Sequence, residues 1–316
     1  LETVPVAEKN VEWTLSGNIS FNRNTLSDIG FDVEEKTFYF EPGVPTQRFF
    51  YTGQHVATSQ YLASAPINVF MLGQPIGLFY GYRTDGMIRE GEYGVPISQA
   101  NYKAGKYPGP GSIKYVDMNG DGYIDANDKT IIGDANPDFT YGFSTALTLW
   151  KFRLSLNFQG SFGAEIFNAN RMALSYGIHA QSTPRNVYKD AFYNAWTIVN
   201  PYSRYAATYD AIGYGIPFED VITTTEFSYA SDRDVEDASY FRLSSANLSY
   251  SFDLPKNSPL SRIVAGFSVG NVFILTKYSG FSPTVNSYKI SSQRIGIDSG
   301  GYPMSRSYCF DLKFTF

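Results

Sequence analysis

The strongest chemical signal in the sequence is a run of twelve residues, 117–128, that is rich in Asp, Asn and Gly. It reads Asp-Met-Asn-Gly-Asp-Gly-Tyr-Ile-Asp-Ala-Asn-Asp and matches a twelve-residue calcium loop at positions 1, 3, 5, 6 and 9. Hard cations such as Ca²⁺ are bound by carboxylate, amide and carbonyl oxygens. The predicted ligands are Asp117, Asn119, Asp121, Asp125 and Asp128 through their side chains and Tyr123 through its carbonyl. Gly122 is predicted to form the sharp turn, and Ile124 stands where such loops anchor an apolar side chain in the protein body.

One position departs from the calcium-loop pattern. The twelfth residue is Asp128, where such loops carry a bidentate Glu, and the shorter side chain predicts weak binding, on the order of 10⁻⁴–10⁻³ M. No pair of helices flanks the run, so we do not expect an EF-hand domain. The predicted role of calcium is structural, namely to fix a long external loop. The alternative is an Asp/Asn/Gly turn that binds no ion.

Other chemical classes are poorly supported. The segment 266–270 fits the G-x-S-x-G pattern, but that motif needs a strand-to-helix turn, and here the alternation of a strand continues through Val272 and Phe273. The chain has two histidines and one cysteine, so neither a histidine-based metal site nor an internal disulfide is predicted. We expect no catalytic residues and no enzyme. A net charge of −5 argues against nucleic-acid binding.

The elements around the Asp-rich run show apolar and polar residues in alternation. The pattern is clear in residues 13–22, 152–159 and 309–316, and it predicts strands with one apolar and one polar face. No apolar run approaches the eighteen residues of a membrane-spanning helix, so in a membrane only a closed barrel remains. Aromatic residues make up 17% of the chain and gather near the segment ends, as interfacial girdles do.

The connections between these segments alternate between short and long, as in outer-membrane barrels. Strands are predicted at 139–149, 152–161, 239–252 and 262–273, with short turns at 150–151 and 253–260. The long connections are 84–138 and 274–304. Short helices are predicted within the loops, at 164–176 and 184–196. The terminal Phe316 resembles the aromatic signal that is read during outer-membrane insertion.

Several longer stretches resemble one family. In chain order they are residues 77–86, 111–128, 132–143, 196–197 with 200–201, 239–248, 271–273 with 276–280, and 301–306, which is also the order of the family. They are similar to the SusC/RagA family of TonB-dependent outer-membrane transporters of Bacteroidota. The resemblance covers nearly the whole chain, and residues 1–316 are interpreted as the C-terminal part of the barrel.

The resemblance implies an all-β fold: a transmembrane antiparallel β-barrel of 22 strands with a plugged lumen and long extracellular loops. This chain would hold roughly eight to ten of those strands. The connection 84–138 would be a long extracellular loop that carries the calcium-like motif. The N-terminal plug domain is absent from this chain, and residues 1–5 lack the pattern of a signal peptide, so we expect further sequence upstream.

The same resemblance implies partners and cargo. The partners are a SusD-like surface lipoprotein, TonB through the missing N-terminal region, the remaining barrel and plug, and outer-membrane lipid. The cargo is an oligosaccharide or an oligopeptide, and no substrate-binding residue can be named. An alternative is a soluble, calcium-stabilised β-sandwich that acts as an adhesin or glycan-binding module. It leaves the alternation of short and long connections and the terminal Phe316 unexplained.

Overall fold

The computed structural model describes residues 1–30, 35–52, 55–56, 65–92, 94–96, 109–175, 186–207, 229–288 and 294–316. The strands in chain order are β1 (Glu2–Glu8), β2 (Val11–Ser20), β3 (Glu35–Glu41), β4 (Val44–Thr52), β5 (His55–Val56), β6 (Ala65–Pro66), β7 (Asn68–Met71), β8 (Leu78–Tyr82), β9 (Thr84–Met87), β10 (Ile113–Tyr115), β11 (Lys129–Asp134), β12 (Phe139–Leu149), β13 (Phe152–Phe162), β14 (Glu165–Asn168), β15 (Val235–Asp237), β16 (Tyr240–Asp253), β17 (Arg262–Thr276), β18 (Ile297–Asp298) and β19 (Ser307–Thr315). The helices are α1 (Ala169–Ser175) and α2 (Lys189–Tyr193), with 3-10 turns at Ala126–Asp128 and Asp232–Asp234.

Seven long strands form one antiparallel sheet, called the wall here, in the order β1-β2-β12-β13-β16-β17-β19. The pairing of β12 with β13 runs without a break from Phe139↔Phe162 to Leu149↔Phe152, as strict alternation requires. The strands predicted at 139–149, 152–161, 239–252 and 262–273 are confirmed, the first with identical bounds and the others with bounds that differ by at most three residues. The described residues contribute seven wall strands, fewer than the eight to ten that the family resemblance implied.

Two irregularities in strand pairing interrupt the wall, but the apolar residues stay on the same face on both sides of each. Ser244 is an extra residue in β16, between the pairs Asn157↔Ser245 and Phe158↔Leu243, and its Oγ donates to the carbonyl of Asn157 at 2.8 Å. Asn271, in β17, has a φ of +53° near a second shift in pairing. A bulge adds one residue and restores the in/out order beyond it, so the apolar residues of both strands stay on one face.

The apolar face of the wall is uncovered. Phe152, Phe267 and Phe310 are 49%, 47% and 67% exposed. In the described part of the chain no second sheet packs on this face. A water-soluble sandwich would bury the same side chains, and the sandwich alternative therefore lacks the core that it needs.

All three long connections of the wall leave it at the end opposite the short turns, because neighbouring strands are antiparallel. They are residues 21–138, 163–239 and 277–306, and their described parts are called the loop body here. They share one apolar core, to which the three connections contribute Phe79, Phe167 and Ile297, each fully buried. The loop body is therefore a folded unit with an interior of its own.

The first connection is longer than the sequence indicated. It begins at residue 21, not 84, and it contains a five-stranded sheet in the order β11-β8-β7-β4-β3. Strand β8 is buried at every position, and a strand buried on both faces carries no alternation that could reveal it. The described parts of the segment 84–138 are likewise structured, with β9 antiparallel to β10 and with β11 antiparallel to β8.

The predicted loop helices are shorter than expected. Of the interval 164–176, Glu165–Asn168 is strand β14, which pairs with β15 and β18, and only Ala169–Ser175 is helical. Pairing with strands distant in the chain overrides local helical spacing. Of the interval 184–196, the first two residues lie outside the described part, and Lys189–Tyr193 forms the helix. Across the described residues, no helix combines the length and apolar character that a membrane span requires.

Candidate functional site

The Asp-rich run 117–128 lies on the surface of the loop body, between β10 and β11. Met118 and Ile124 anchor it, because both side chains are buried in the body. The amide of Gly43, in the turn between β3 and β4, donates to the carbonyl of Met118 at 2.7 Å. The apolar anchor expected at Ile124 is confirmed.

The first half of the run is wound around its own side chains. Both carboxylate oxygens of Asp117 accept main-chain hydrogen bonds, from Gly120 and Gly122, each at 2.7 Å. Asp121 accepts from the amide of Tyr123 at 2.8 Å. Gly122 has a φ of +85°, a left-handed conformation that favours glycine and explains the residue at the predicted sharp turn.

The second half is organised by Asp128. Its side chain is fully buried, and its two oxygens accept from the amides of Met118 at 2.8 Å and Asp125 at 2.6 Å. Burial raises the pKa of Asp128 to about 6, although the hydrogen bonds from the main chain oppose that shift. Asp128 thus ties the start of the run to its end through the backbone.

The donor set has the oxygen chemistry that calcium requires, but the side chains are engaged with the backbone. Among the described residues, no group of three or more His, Cys, Asp or Glu side chains is arranged to hold a metal ion. The two oxygens of Asp117 each accept one main-chain hydrogen bond, whereas those of Asp121 accept one from the amide of Tyr123 and one from the side chain of Asn119, so each oxygen retains a free lone pair. Asp128 occupies the place of a bidentate Glu, yet both its oxygens bind main-chain amides. Calcium binding stays a prediction.

The polar face of the wall carries small hydroxyl and amide side chains that bond across the strands. Ser16 and Ser144 share a hydrogen bond of 2.6 Å, and Asn157 donates to Ser245 at 2.9 Å. A depression of about 440 Å³ opens on this face. Its lining includes Gly142 and Gln159, neither of which was predicted as a site residue from the sequence. A glycine on the polar face of a strand leaves space for a depression, so Gly142 is the sequence signal that could have indicated this one.

Aromatic rings gather at both ends of the apolar face. Near the loop body, Phe158 stacks on Phe241 with ring centres 5.4 Å apart. Near the short turns, the ring centre of Tyr250 lies 4.5 Å from the ring centres of both Phe152 and Phe252. Two aromatic bands that flank an apolar zone are typical of a barrel in a bilayer.

Comparisons with known proteins agree with this architecture. No model of a protein family matches the chain. The TonB-dependent receptor P3 of Formosa agariphila (strain DSM 15362 / KCTC 12365 / LMG 23005 / KMM 3901 / M-2Alg 35-1) is 33% identical over 98% of the chain, and the TonB-dependent receptor SusC of Bacteroides thetaiotaomicron is 24% identical over 99%. The chain spans 27% and 25% of these relatives, about a quarter of their length.

A solved structure shares the fold. The RagAB peptide importer in its open-open state matches the whole chain with a TM-score of 0.63 at 17% sequence identity. Here too the chain corresponds to 28% of the matched protein. This likeness shows that the wall and its connections have the fold of part of a β-barrel.

Proposed function

Because the chain belongs to the SusC/RagA family of TonB-dependent receptors and is part of an outer-membrane β-barrel, we propose that it works in the active import of oligosaccharides or oligopeptides. The observation that carries this proposal is the two-faced wall. Its apolar face is exposed between two aromatic bands, and its polar face is lined with hydroxyl and amide groups. The first face suits lipid, and the second suits a water-filled or protein-filled lumen.

The proposed partners follow from the family. They are a SusD-like surface lipoprotein at the outer mouth, TonB as the source of energy, and the remaining barrel and plug of the longer protein. The chain spans only about a quarter of its relatives, so import is an activity of the whole receptor. We propose no enzymatic role for the chain.

A deletion strain tests import. Cells that lack the full-length receptor should fail to grow on one defined glycan or peptide, and the receptor gene should restore growth. Restoration should require TonB, and the purified receptor should carry a lipoprotein of SusD type. Restored growth in cells without TonB, or a receptor that never binds such a lipoprotein, would contradict the proposal.

A soluble adhesin makes the opposite prediction in a simpler experiment. After cell lysis without detergent, an outer-membrane barrel is recovered with the membranes, whereas a calcium-stabilised sandwich stays in solution. The exposure of Phe152 and Phe310 predicts recovery with the membranes. Recovery in the soluble fraction would favour the adhesin.

We also propose that the run 117–128 binds calcium weakly, with Asp117, Asn119, Asp121, Tyr123 and Asp125 as ligands and Asp128 at the twelfth position. Calorimetry on the full-length receptor should show binding on the order of 10⁻⁴–10⁻³ M. The variant Asp121→Asn keeps a hydrogen-bond acceptor for the amide of Tyr123 while removing a charge, so it should weaken binding without breaking a main-chain hydrogen bond of the loop. Asp117→Asn also removes a charge, but it gives up one of the two acceptors for Gly120 and Gly122.

The matched control for calcium binding is Asp85→Asn. Asp85 is an exposed carboxylate of the same body, and it pairs with Lys114 at 3.0 Å. Calcium binding should be unchanged in this variant. Equal binding heats in the wild-type, Asp117→Asn and Asp121→Asn receptors would refute calcium binding at this run.

A further inference from the structure

A buried cluster of charged and polar side chains joins the second and third connections of the loop body. Arg171 on α1 forms an ion pair of 3.1 Å with Glu236 on β15, and their side chains are only 10% and 8% exposed. Asn168 donates to the same carboxylate at 2.9 Å. From the third connection, Ser279 donates to it twice, through its Oγ at 2.7 Å and its amide at 2.9 Å. These four residues are called the clasp here.

The carboxylate at the centre of the clasp is fully satisfied. Burial by itself raises the pKa of Glu236, but the hydrogen bonds from Ser279, Asn168 and Arg171 outweigh it and hold the pKa below its ordinary value. Glu236 is therefore ionised at neutral pH, with Arg171 as its counter-ion. Asn168 also accepts from the amide of Arg171 at 2.9 Å, which orients the start of the helix toward the carboxylate.

A second contact links the same two connections beside the clasp. Asp298 accepts from the hydroxyl of Tyr278 at 2.6 Å and from the side-chain amide of Asn170 at 3.1 Å. The backbones also pair, because β14 runs parallel to β18 with Phe167 opposite Ile297. Side-chain hydrogen bonds and main-chain pairing together join the two connections along a boundary that is called the seam here.

The seam begins at the wall itself. The amide of Ala238 donates to the carbonyl of Ala164 at 2.8 Å, and the amide of Gly163 donates to Ser239 at 3.0 Å. From the neighbouring strand, Thr276 donates to the carbonyl of Ser239 at 2.8 Å. The ends of β13, β16 and β17 are therefore bound to each other where the connections leave them.

We infer that the described parts of the second and third connections form one cooperative unit, which the Arg171–Glu236 clasp holds together and whose two segments lose their structure together rather than one at a time. The physical reason is that a buried ion pair cannot be half broken: removing one partner leaves a charge without its counter-ion in a dry interior. The inference concerns motion alone and is independent of the cargo.

Hydrogen exchange on the full-length receptor in lipid vesicles tests the inference. Glu236→Gln removes the charge while keeping the shape, and it leaves Arg171 unpaired. Amide exchange should then accelerate at least tenfold in residues 165–175 and equally in residues 277–288, although the substitution lies in neither segment. Acceleration in only one segment, or in neither, overturns the inference.

Glu165→Gln is the matched control. Glu165 is a half-buried carboxylate on β14, but its Oε2 accepts from the amide of Asp134 in the first connection at 2.7 Å. Its substitution should leave exchange in residues 277–288 unchanged. Acceleration there would mean that any lost carboxylate loosens the whole body, and the clasp would have no special role.

A milder variant protects the test against misfolding. Ser279→Ala removes one hydroxyl from the third connection and keeps the ion pair. Exchange should rise several-fold in residues 165–175, across the seam from the substitution. Unchanged exchange in that segment would likewise overturn the inference. Because no cargo is used, either outcome leaves the proposed import untouched.

Discussion

The wall and the loop body use similar apolar residues but bury them toward different surroundings. In the loop body Phe79, Phe167 and Ile297 face each other and are fully buried. In the wall Phe152 and Phe310 face outward and are about half exposed or more. The loop body has an interior and meets water, whereas the wall has no interior and meets lipid. Which medium surrounds each region therefore decides what a substitution does there.

The largest effect should come from a charge on the lipid-facing side of the wall. Leu156 lies in the middle of β13, opposite Thr145 and Ala246. Leu156→Arg should destabilise the full-length receptor by about 2–4 kcal/mol, the cost of a cation at the bilayer midplane. Urea unfolding in lipid vesicles measures the difference. Ser155→Arg, one residue away on the polar face, should cost far less, and equal losses would mean that the two faces do not differ.

The next effect should be a steric one inside the loop body. Gly111 has a φ of +85°, and a Cβ there would lie 2.8 Å from Trp196 and 2.5 Å from Ala207. Gly111→Ala should add an overpacking cost of about 1–3 kcal/mol to the strain of a left-handed alanine. Gly91 has the same φ of +85° with open space around it, so Gly91→Ala carries the strain alone. Thermal unfolding of the loop body, monitored by hydrogen exchange, gives the melting temperature of each variant. Equal decreases in melting temperature for Gly111→Ala and Gly91→Ala would refute the close packing at Gly111.

A smaller effect should follow from a hydrogen bond on the lipid-facing side. The indole of Trp13 donates to the hydroxyl of Thr145 at 2.9 Å. Trp13→Phe and Thr145→Val should be non-additive in a double-mutant cycle, with a coupling of roughly 0.6–1.7 kcal/mol, as for polar pairs in membranes. Additive losses would show that the bond does not form in the bilayer.

The smallest effect is expected at the short turns, where water surrounds the charges. Asp253 pairs with Arg262 at 2.9 Å and with Lys151 at 3.3 Å, but all three side chains are about half exposed. The two cations hold the pKa of Asp253 below its ordinary value. Asp253→Asn should leave the unfolding midpoint unchanged, because exposed pairs contribute little. A clear loss would show that the turn is shielded from water in the full receptor.

The two regions also differ in how far the sequence predicts them. Strands β12 and β13 alternate along nearly their whole length, with Thr145 as a polar interruption of the apolar face, so their bounds follow from the pattern. Strand β8, Leu78–Tyr82, is apolar on both faces, and only its partners β7 and β11 identify it. The sequence therefore does not predict the five-stranded sheet, and β11, one of its strands, lies within the segment 84–138 that was expected to be a loop.

The candidate site divides in the same way. The composition of the run 117–128 predicts an Asx-rich turn and the buried Ile124, and both are present. It does not predict that both oxygens of Asp128 accept from main-chain amides, because that depends on the burial of Asp128 in the folded loop body. The clasp has no local signal at all, since Arg171 and Glu236 lie far apart in the chain and meet only when β14 pairs with β15.

The two outermost strands of the wall, β1 and β19, each hydrogen-bond to one neighbour among the described residues. Their other edges present rows of amide and carbonyl groups, for which hydrocarbon offers no partner. If a cell made this stretch without the rest of the receptor, both unpaired strand edges would be free to pair with strands of other chains. Such a product should aggregate, and the insoluble fraction of it would measure how much the barrel depends on pairing its first and last strands.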